Sequence, residues 1–270
     1  MSALRAMAAM EVDFGILMET KITAVIYTRF SSNYSVFASD AVSVRQGGIA
    51  LFWRSNKFYE IEETRVRGPN IITFVVVSGG DRYYVVGCYI PPNDLTTLTH
   101  VEAAWNECPK GHIPILLGDL NIKLASPRNE RDELIAEQVG DVMGLVNVSR
   151  QFKQRRRARA QGRWTWRMRR GGRWVSSQCD YFLGREIDRR RFCSIGLWMP
   201  SHHDSDHRAI VAKIYSGSEK RMKAYQRRRH HFPTKLPRGP QGELETLFEE
   251  LRLDVAPPPG QGKTHKSMAF

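Results

Sequence analysis

Asp119 and Asn121 stand two residues apart, directly after the apolar run Ile113–Leu117 and the turn residue Gly118. In extended chain, residues two apart point to the same side. The spacing therefore sets a carboxylate, which can hold a metal or take a proton, beside a carboxamide, which can donate a hydrogen bond to a phosphate oxygen. Polar groups recur at the ends of other apolar runs. Glu19 closes Val12–Met18, Tyr89 precedes Ile90-Pro91-Pro92, Asp180 precedes Tyr181-Phe182-Leu183, and Asp206-His207 lead into Ala209–Ile214. Each of these alone is as consistent with an ordinary turn or surface residue. Loops at strand ends are nevertheless where α/β sheets assemble sites, and here one end follows another in order.

The elements that must position these groups are mostly strands. Ile113–Leu117 reads as a central strand covered on both faces. Before it, strands are expected over Tyr34–Phe37, Gly47–Trp53 and Tyr59–Val66, followed by a hairpin of Asn70–Ser78 and Tyr83–Ile90 around Ser78-Gly79-Gly80-Asp81. The prolines after Tyr89 stop ladder pairing, so its hydroxyl is expected at the sheet edge. Helical spacing marks Leu95–Cys108 and Asn129–Met143, and further strands are read at Ser177–Leu183 and Ala209–Ile214. This alternation predicts an α/β domain over residues 1–215, followed by a basic, proline-rich linker or tail over 216–270.

A formal net charge of +13 over 270 residues calls for a polyanionic partner, nucleic acid before an anionic membrane surface. The charge concentrates in Gln151–Arg173, which carries ten Lys and Arg residues and no acid. Arg155, Arg156, Arg157, Arg159 and Arg163 lead into Trp164-Thr165-Trp166, so aromatic faces are interleaved with cations, a pairing suited to DNA. The segment is expected to be a DNA-contacting surface loop beside the site, anchored to the body by its tryptophans. Cys88, Cys108, Cys179 and Cys193 form neither a close pair nor a ladder of zinc spacing, which predicts reduced thiols and no structural zinc. No apolar stretch has the length of a membrane span. The expectation is a protein inside the cell, with basic runs fit for nuclear import and no obligate protein partner.

Glu-Thr-Lys at 19–21, Tyr-Ile-Pro-Pro at 89–92, Gly-Asp-Leu-Asn at 118–121, Asp-Tyr-Phe-Leu at 180–183 and Ser-Asp-His-Arg at 205–208 occur in that order. Over residues 12–215 the chain thereby resembles the endonuclease/exonuclease/phosphatase superfamily, closest to the endonuclease domains of non-LTR retrotransposons. The resemblance implies a two-sheet α/β sandwich with helices on the outer faces and a phosphodiesterase dependent on Mg2+ or Mn2+. It matches Glu19 to the magnesium-binding Glu and Asp206 to the acid beside the catalytic histidine, which is His207. Asp180 matches the carboxylate that orients this imidazole. Asp119 matches the acid that activates water or handles the leaving-group proton, and Asn121 and Tyr89 match groups that hold the phosphate.

One departure stands out. The family opens with a strand bearing an Asn that supports the metal, and Met1–Glu11 contains no Asn, so that first strand is expected to be missing or replaced. The tail resembles the connector leading toward a reverse transcriptase, as in a piece of a longer element. Besides endonucleolytic nicking of DNA, two alternatives follow: a phosphatase of the same superfamily acting on inositol phosphates or lipids, and a nucleic-acid-binding remnant with impaired catalysis.

Overall fold

The computed structural model describes residues 11–29, 34–55, 59–148, 164–198 and 205–215. The proposed tail, 216–270, and Arg155, Arg156, Arg157, Arg159 and Arg163 lie outside them. In chain order the strands are β1 (Phe14–Met18), β2 (Ile26–Arg29), β3 (Tyr34–Ala38), β4 (Ile49–Arg54), β5 (Tyr59–Gly68), β6 (Ile71–Ser78), β7 (Asp81–Tyr89), β8 (Ile113–Asp119), β9 (Leu145–Asn147), β10 (Trp166–Arg170), β11 (Arg173–Ser177), β12 (Asp180–Arg185), β13 (Phe192–Trp198) and β14 (Ala209–Ile214). Two helices, α1 (Thr96–Asn106) and α2 (Glu130–Glu137), flank β8 in sequence, and α2 continues into a wider π-helical turn over Gln138–Val142.

A six-stranded sheet runs β5-β6-β7-β8-β12-β9, and a four-stranded sheet runs β1-β4-β3-β2. In β8, the apolar run read from sequence is buried from Ile113 to Leu116 on both faces, as an interior strand requires. It pairs in parallel with β7 and antiparallel with β12, an arrangement that aligns Tyr89 and Asp180 with Asp119. Alternate residues of the large sheet feed two cores. Val75, Tyr84, Val86 and Leu116 face the helices through Val101, Trp105, Ile135 and Val139. Phe74, Val76, Val85 and Ile115 face Met18, Ile49 and Leu51 of the small sheet. The result is a two-sheet sandwich with helices on an outer face of the larger sheet.

The hairpin of β6 and β7 turns at Gly79-Gly80, both at positive φ, the geometry a two-residue hairpin loop demands. β1 stands at the edge of its sheet, and among the described residues no strand precedes it. Among the described residues, β13 and β14 pair only with each other.

One expectation is corrected here. The end of the basic segment is not loop but a hairpin, β10 with β11, closed by Gly171-Gly172 at φ 52° and 78°. It has as many arginines as apolar residues, four of each, so the alternation that marks a strand is obscured in a reading by hydrophobicity. β13, between Asp180 and His207, is a further strand beyond those expected. The described helices include none long and apolar enough to cross a membrane.

Candidate active site

The site begins at the end of β8. Asp119 is 2% exposed, and its Oδ1 accepts the backbone N–H of Asn121 at 2.8 Å. That contact closes an Asx-type turn and fits the left-handed backbone of Asn121, φ 53°, which asparagine tolerates better than most residues. The Asn121 amide then donates to the carbonyl of Ile90 at 3.0 Å, tying the Asp119 turn to the residue that follows Tyr89. Gly118 is required for close approach, since a Cβ there would lie 1.9 Å from the carbonyl oxygen of Cys88.

Glu19 arrives from the small sheet. The backbone N–H groups of Thr20 and Lys21 donate to the carbonyls of Gly48 and Gly47 at 3.1 and 3.0 Å, holding Glu19 and Lys21 in the left-handed region. Backbone held there in residues other than glycine or asparagine is a cost that functional sites commonly carry. The Tyr89 hydroxyl donates to Glu19 Oε1, and Lys21 Nζ lies 3.7 Å from Oε2. Burial, reinforced by Glu19, drives the Tyr89 phenol well above its ordinary range, so it stays a neutral donor. The backbone N–H of Asp119 points at Met18 Sδ, 3.0 Å away, which joins the Glu19 strand to β8.

On the other side, His207 Nδ1 donates to Asp180 Oδ2 at 3.0 Å. Burial acts to lower the imidazole pKa, but the hydrogen bond and charge of Asp180, with Asp119 and Asp206, outweigh it and raise His207 to about 9. The carboxyl of Asp119 is pushed up to about 8, first by burial and then by Asp180, with His207 opposing. Near neutral pH the site thus presents a protonated imidazole beside a carboxyl able to exchange its proton, the pairing acid–base chemistry needs.

No family model matches the sequence, and no curated protein does. Solved structures do match. The chain is similar to the endonuclease domain of TRAS1, a telomere-specific non-LTR retrotransposon, at 18% identity and a TM-score of 0.58, over 78% of this chain and 90% of that one. A variant of the 3′ phosphatase NExo from Neisseria, bound to product DNA hairpin, matches at 15% identity and a TM-score of 0.55, over 78% and 93%. An endonuclease/exonuclease/phosphatase family protein from Leptotrichia buccalis matches at 14% and 0.53, over 78% and 90%. The fold is that of the endonuclease/exonuclease/phosphatase superfamily.

Within this endonuclease/exonuclease/phosphatase fold, Glu19, Tyr89, Asn121, Asp119, Asp180 and His207 form a continuous array across the ends of β1, β7, β8 and β12. Asp206 adjoins it but is engaged elsewhere: its Oδ2 accepts the Trp166 indole N–H at 2.7 Å. Among the described residues, the group of three or more potential metal ligands that forms is Asp119, Cys179 and His207, and it includes neither Glu19 nor Asp206. A magnesium ion wants several oxygen ligands. Glu19 offers a single carboxylate already engaged by Tyr89, so these residues do not by themselves frame such an ion.

Reasoning from sequence missed three residues that hold the array. Thr165 is fully buried, and its Oγ1 accepts the backbone N–H groups of both Cys179 and Asp180 at 3.0 Å. Ser205 Oγ accepts the His207 N–H at 3.0 Å. Cys179 lies against the Asp180 carboxylate, its Sγ 3.4 Å from Oδ2. Thr165 carried one usable signal: lying between two tryptophans in extended chain, it must face opposite to them. Those tryptophans anchor the root of the hairpin. Trp164 is buried under Arg167 and Arg208, whose guanidinium carbons lie 4.4 and 3.3 Å from its ring centre. Burial, with Arg167 adding, lowers Arg208 to about 10. Beyond this anchor the hairpin is open, with Trp174 63% exposed and Arg169, Arg170 and Arg173 exposed around it.

Proposed function

We propose that the chain hydrolyses phosphodiester bonds in DNA, as an endonuclease of the retrotransposon type. The observation that carries this reading is the buried Asp119–Asp180–His207 cluster set at the root of an exposed Arg- and Trp-bearing hairpin. A protonated His207, held by Asp180, is placed to bind a non-bridging phosphate oxygen as charge accumulates on it. Asp119 exchanges a proton near neutral pH, which suits transfer to the leaving oxygen or from the attacking water. Asn121, through the amide N–H not given to Ile90, supplies a neutral donor that orients the phosphate from the other side, and Tyr89 does so once its proton leaves Glu19. The hairpin arginines suit the phosphates of a polymer, and Trp174 offers a face on which a base can stack. The fold's occurrence in the TRAS1 endonuclease domain and in a DNA-bound 3′ phosphatase supports the same class of substrate.

The unframed magnesium site favours one second reading, a DNA-binding protein with impaired hydrolysis. Plasmid nicking by the wild-type chain with Mg2+, with Mn2+ and with chelator separates the two. The first reading expects nicking that falls by two or more orders of magnitude, roughly, in Asp119→Ala. DNA binding without nicking under every condition favours the remnant.

A further inference from the structure

Asp119, Cys179 and His207 each offer one ligand atom, and these three atoms lie within 4.8 Å of one another. The donors are an oxygen, a sulfur and a nitrogen, all buried. Magnesium takes oxygens and keeps several waters, so this set does not suit it. Thiolate, imidazole and carboxylate together suit zinc, which accepts four such ligands at short distance.

A second observation points the same way. Asp180 is 2% exposed, yet its Oδ1 has no hydrogen-bond partner. Its other oxygen touches two members of the group, His207 Nδ1 at 3.0 Å and Cys179 Sγ at 3.4 Å. A buried carboxylate that meets two of the three ligands through one oxygen, and has unused lone pairs on the other, thus borders the cluster. The position of Cys179 is fixed by backbone on both sides. Its N–H donates to Thr165, and its carbonyl accepts from Leu120 at 2.9 Å. The four cysteines show no zinc spacing along the sequence, because these ligands come from three separate segments.

We propose that Asp119, Cys179 and His207, with Asp180 alongside, form a site for a thiophilic divalent cation of the zinc class. Coordination replaces the S–H bond of Cys179 by a metal–sulfur bond and displaces the protons that His207 and Asp119 carry near neutral pH, all released to solvent, with no change of oxidation state. Occupancy removes Asp119 and His207 from phosphodiester chemistry, so the metal inhibits; that consequence rests on the proposed function, whereas binding itself does not.

The test uses the full chain stripped of metal and titrated with Cd2+ as a spectroscopic stand-in for zinc. A thiolate-to-cadmium charge-transfer band should rise to a plateau at one equivalent, be displaced by Zn2+, and be absent with Mg2+ in large excess. Cys179→Ser should abolish the band and weaken Zn2+ binding by at least about tenfold, whereas Cys193→Ser should retain both. X-ray absorption on the zinc-loaded wild-type chain needs no variant and should find one sulfur in the metal shell. A shell of nitrogen and oxygen alone, or a band that persists in Cys179→Ser, overturns the proposal. A sulfur-containing shell in a chain whose zinc-free form nicks no DNA with Mg2+ or Mn2+ would sink the hydrolase reading and leave the metal site standing.

Discussion

The floor of the site and the hairpin beside it are built on opposite principles. Asp119, Asp180 and His207 are each less than a tenth exposed and are held by backbone and side-chain contacts from β8, β12 and the Ser205–Arg208 segment. The hairpin β10–β11 leaves most of its residues in solvent and rests on the body through Trp164 and the Trp166–Asp206 hydrogen bond. Charges that must act at defined atoms are placed where packing fixes them and where low polarity strengthens them. On the proposed function, charges that follow a polymer backbone are left exposed, where salt screens them. Thr165 joins the two regions, since it belongs to the hairpin's root and secures the backbone of Asp180.

The comparison breaks most sharply at that junction. Thr165→Val keeps the shape but leaves two buried N–H groups without an acceptor. It is expected to cost about 2 to 6 kcal/mol, at roughly 1–3 per unmet group, read as a fall in denaturation midpoint. A cost confined to a few tenths would mean that the hairpin root does not support the floor.

A smaller effect concerns pH. The ordinary value for Asp119 is 3.8 and its folded value about 8, so its favourable contribution requires the proton and is lost as pH rises toward 8. His207 moves from 6.5 to about 9, so its contribution is complete below 6.5 and lost as pH rises through 9. Both act in the same direction: melting temperature should decline between pH 6 and 9. Asp119→Asn, which carries no proton to lose, should melt higher than wild type at pH 8 while losing activity. An unchanged or steeper decline in that variant would remove the buried-proton account.

Much of the floor is legible in sequence because it sits where apolar runs stop. Ile113–Leu117 marks a buried strand, so Asp119 has to lie at its end, and Glu19, Tyr89, Asp180 and His207 likewise stand at the ends of such runs. What stays hidden depends on side chains meeting across sheets. Cys179 looks like an isolated thiol in sequence, and its closeness to Asp119 follows only from the pairing of β12 with β8. Thr165 is masked by the charge around it, as is the hairpin, whose one clear mark is Gly171-Gly172. The position of Asp206 beside His207 suggests a metal ligand, but the direction of its carboxylate toward Trp166 is set by the fold of the basic segment.

The division between chemistry inside and polymer binding outside is tested most directly by measuring kcat/KM on duplex DNA and on a small phosphodiester for two variants in parallel. His207→Ala should lose two or more orders of magnitude, roughly, on both substrates alike. The triple variant Arg169→Ala, Arg170→Ala, Arg173→Ala should keep its turnover of the small diester. On DNA it should weaken, with the slope of log affinity against log salt reduced by about 2 to 3. Loss of small-diester turnover in the hairpin variant, or its survival in His207→Ala, would contradict the account.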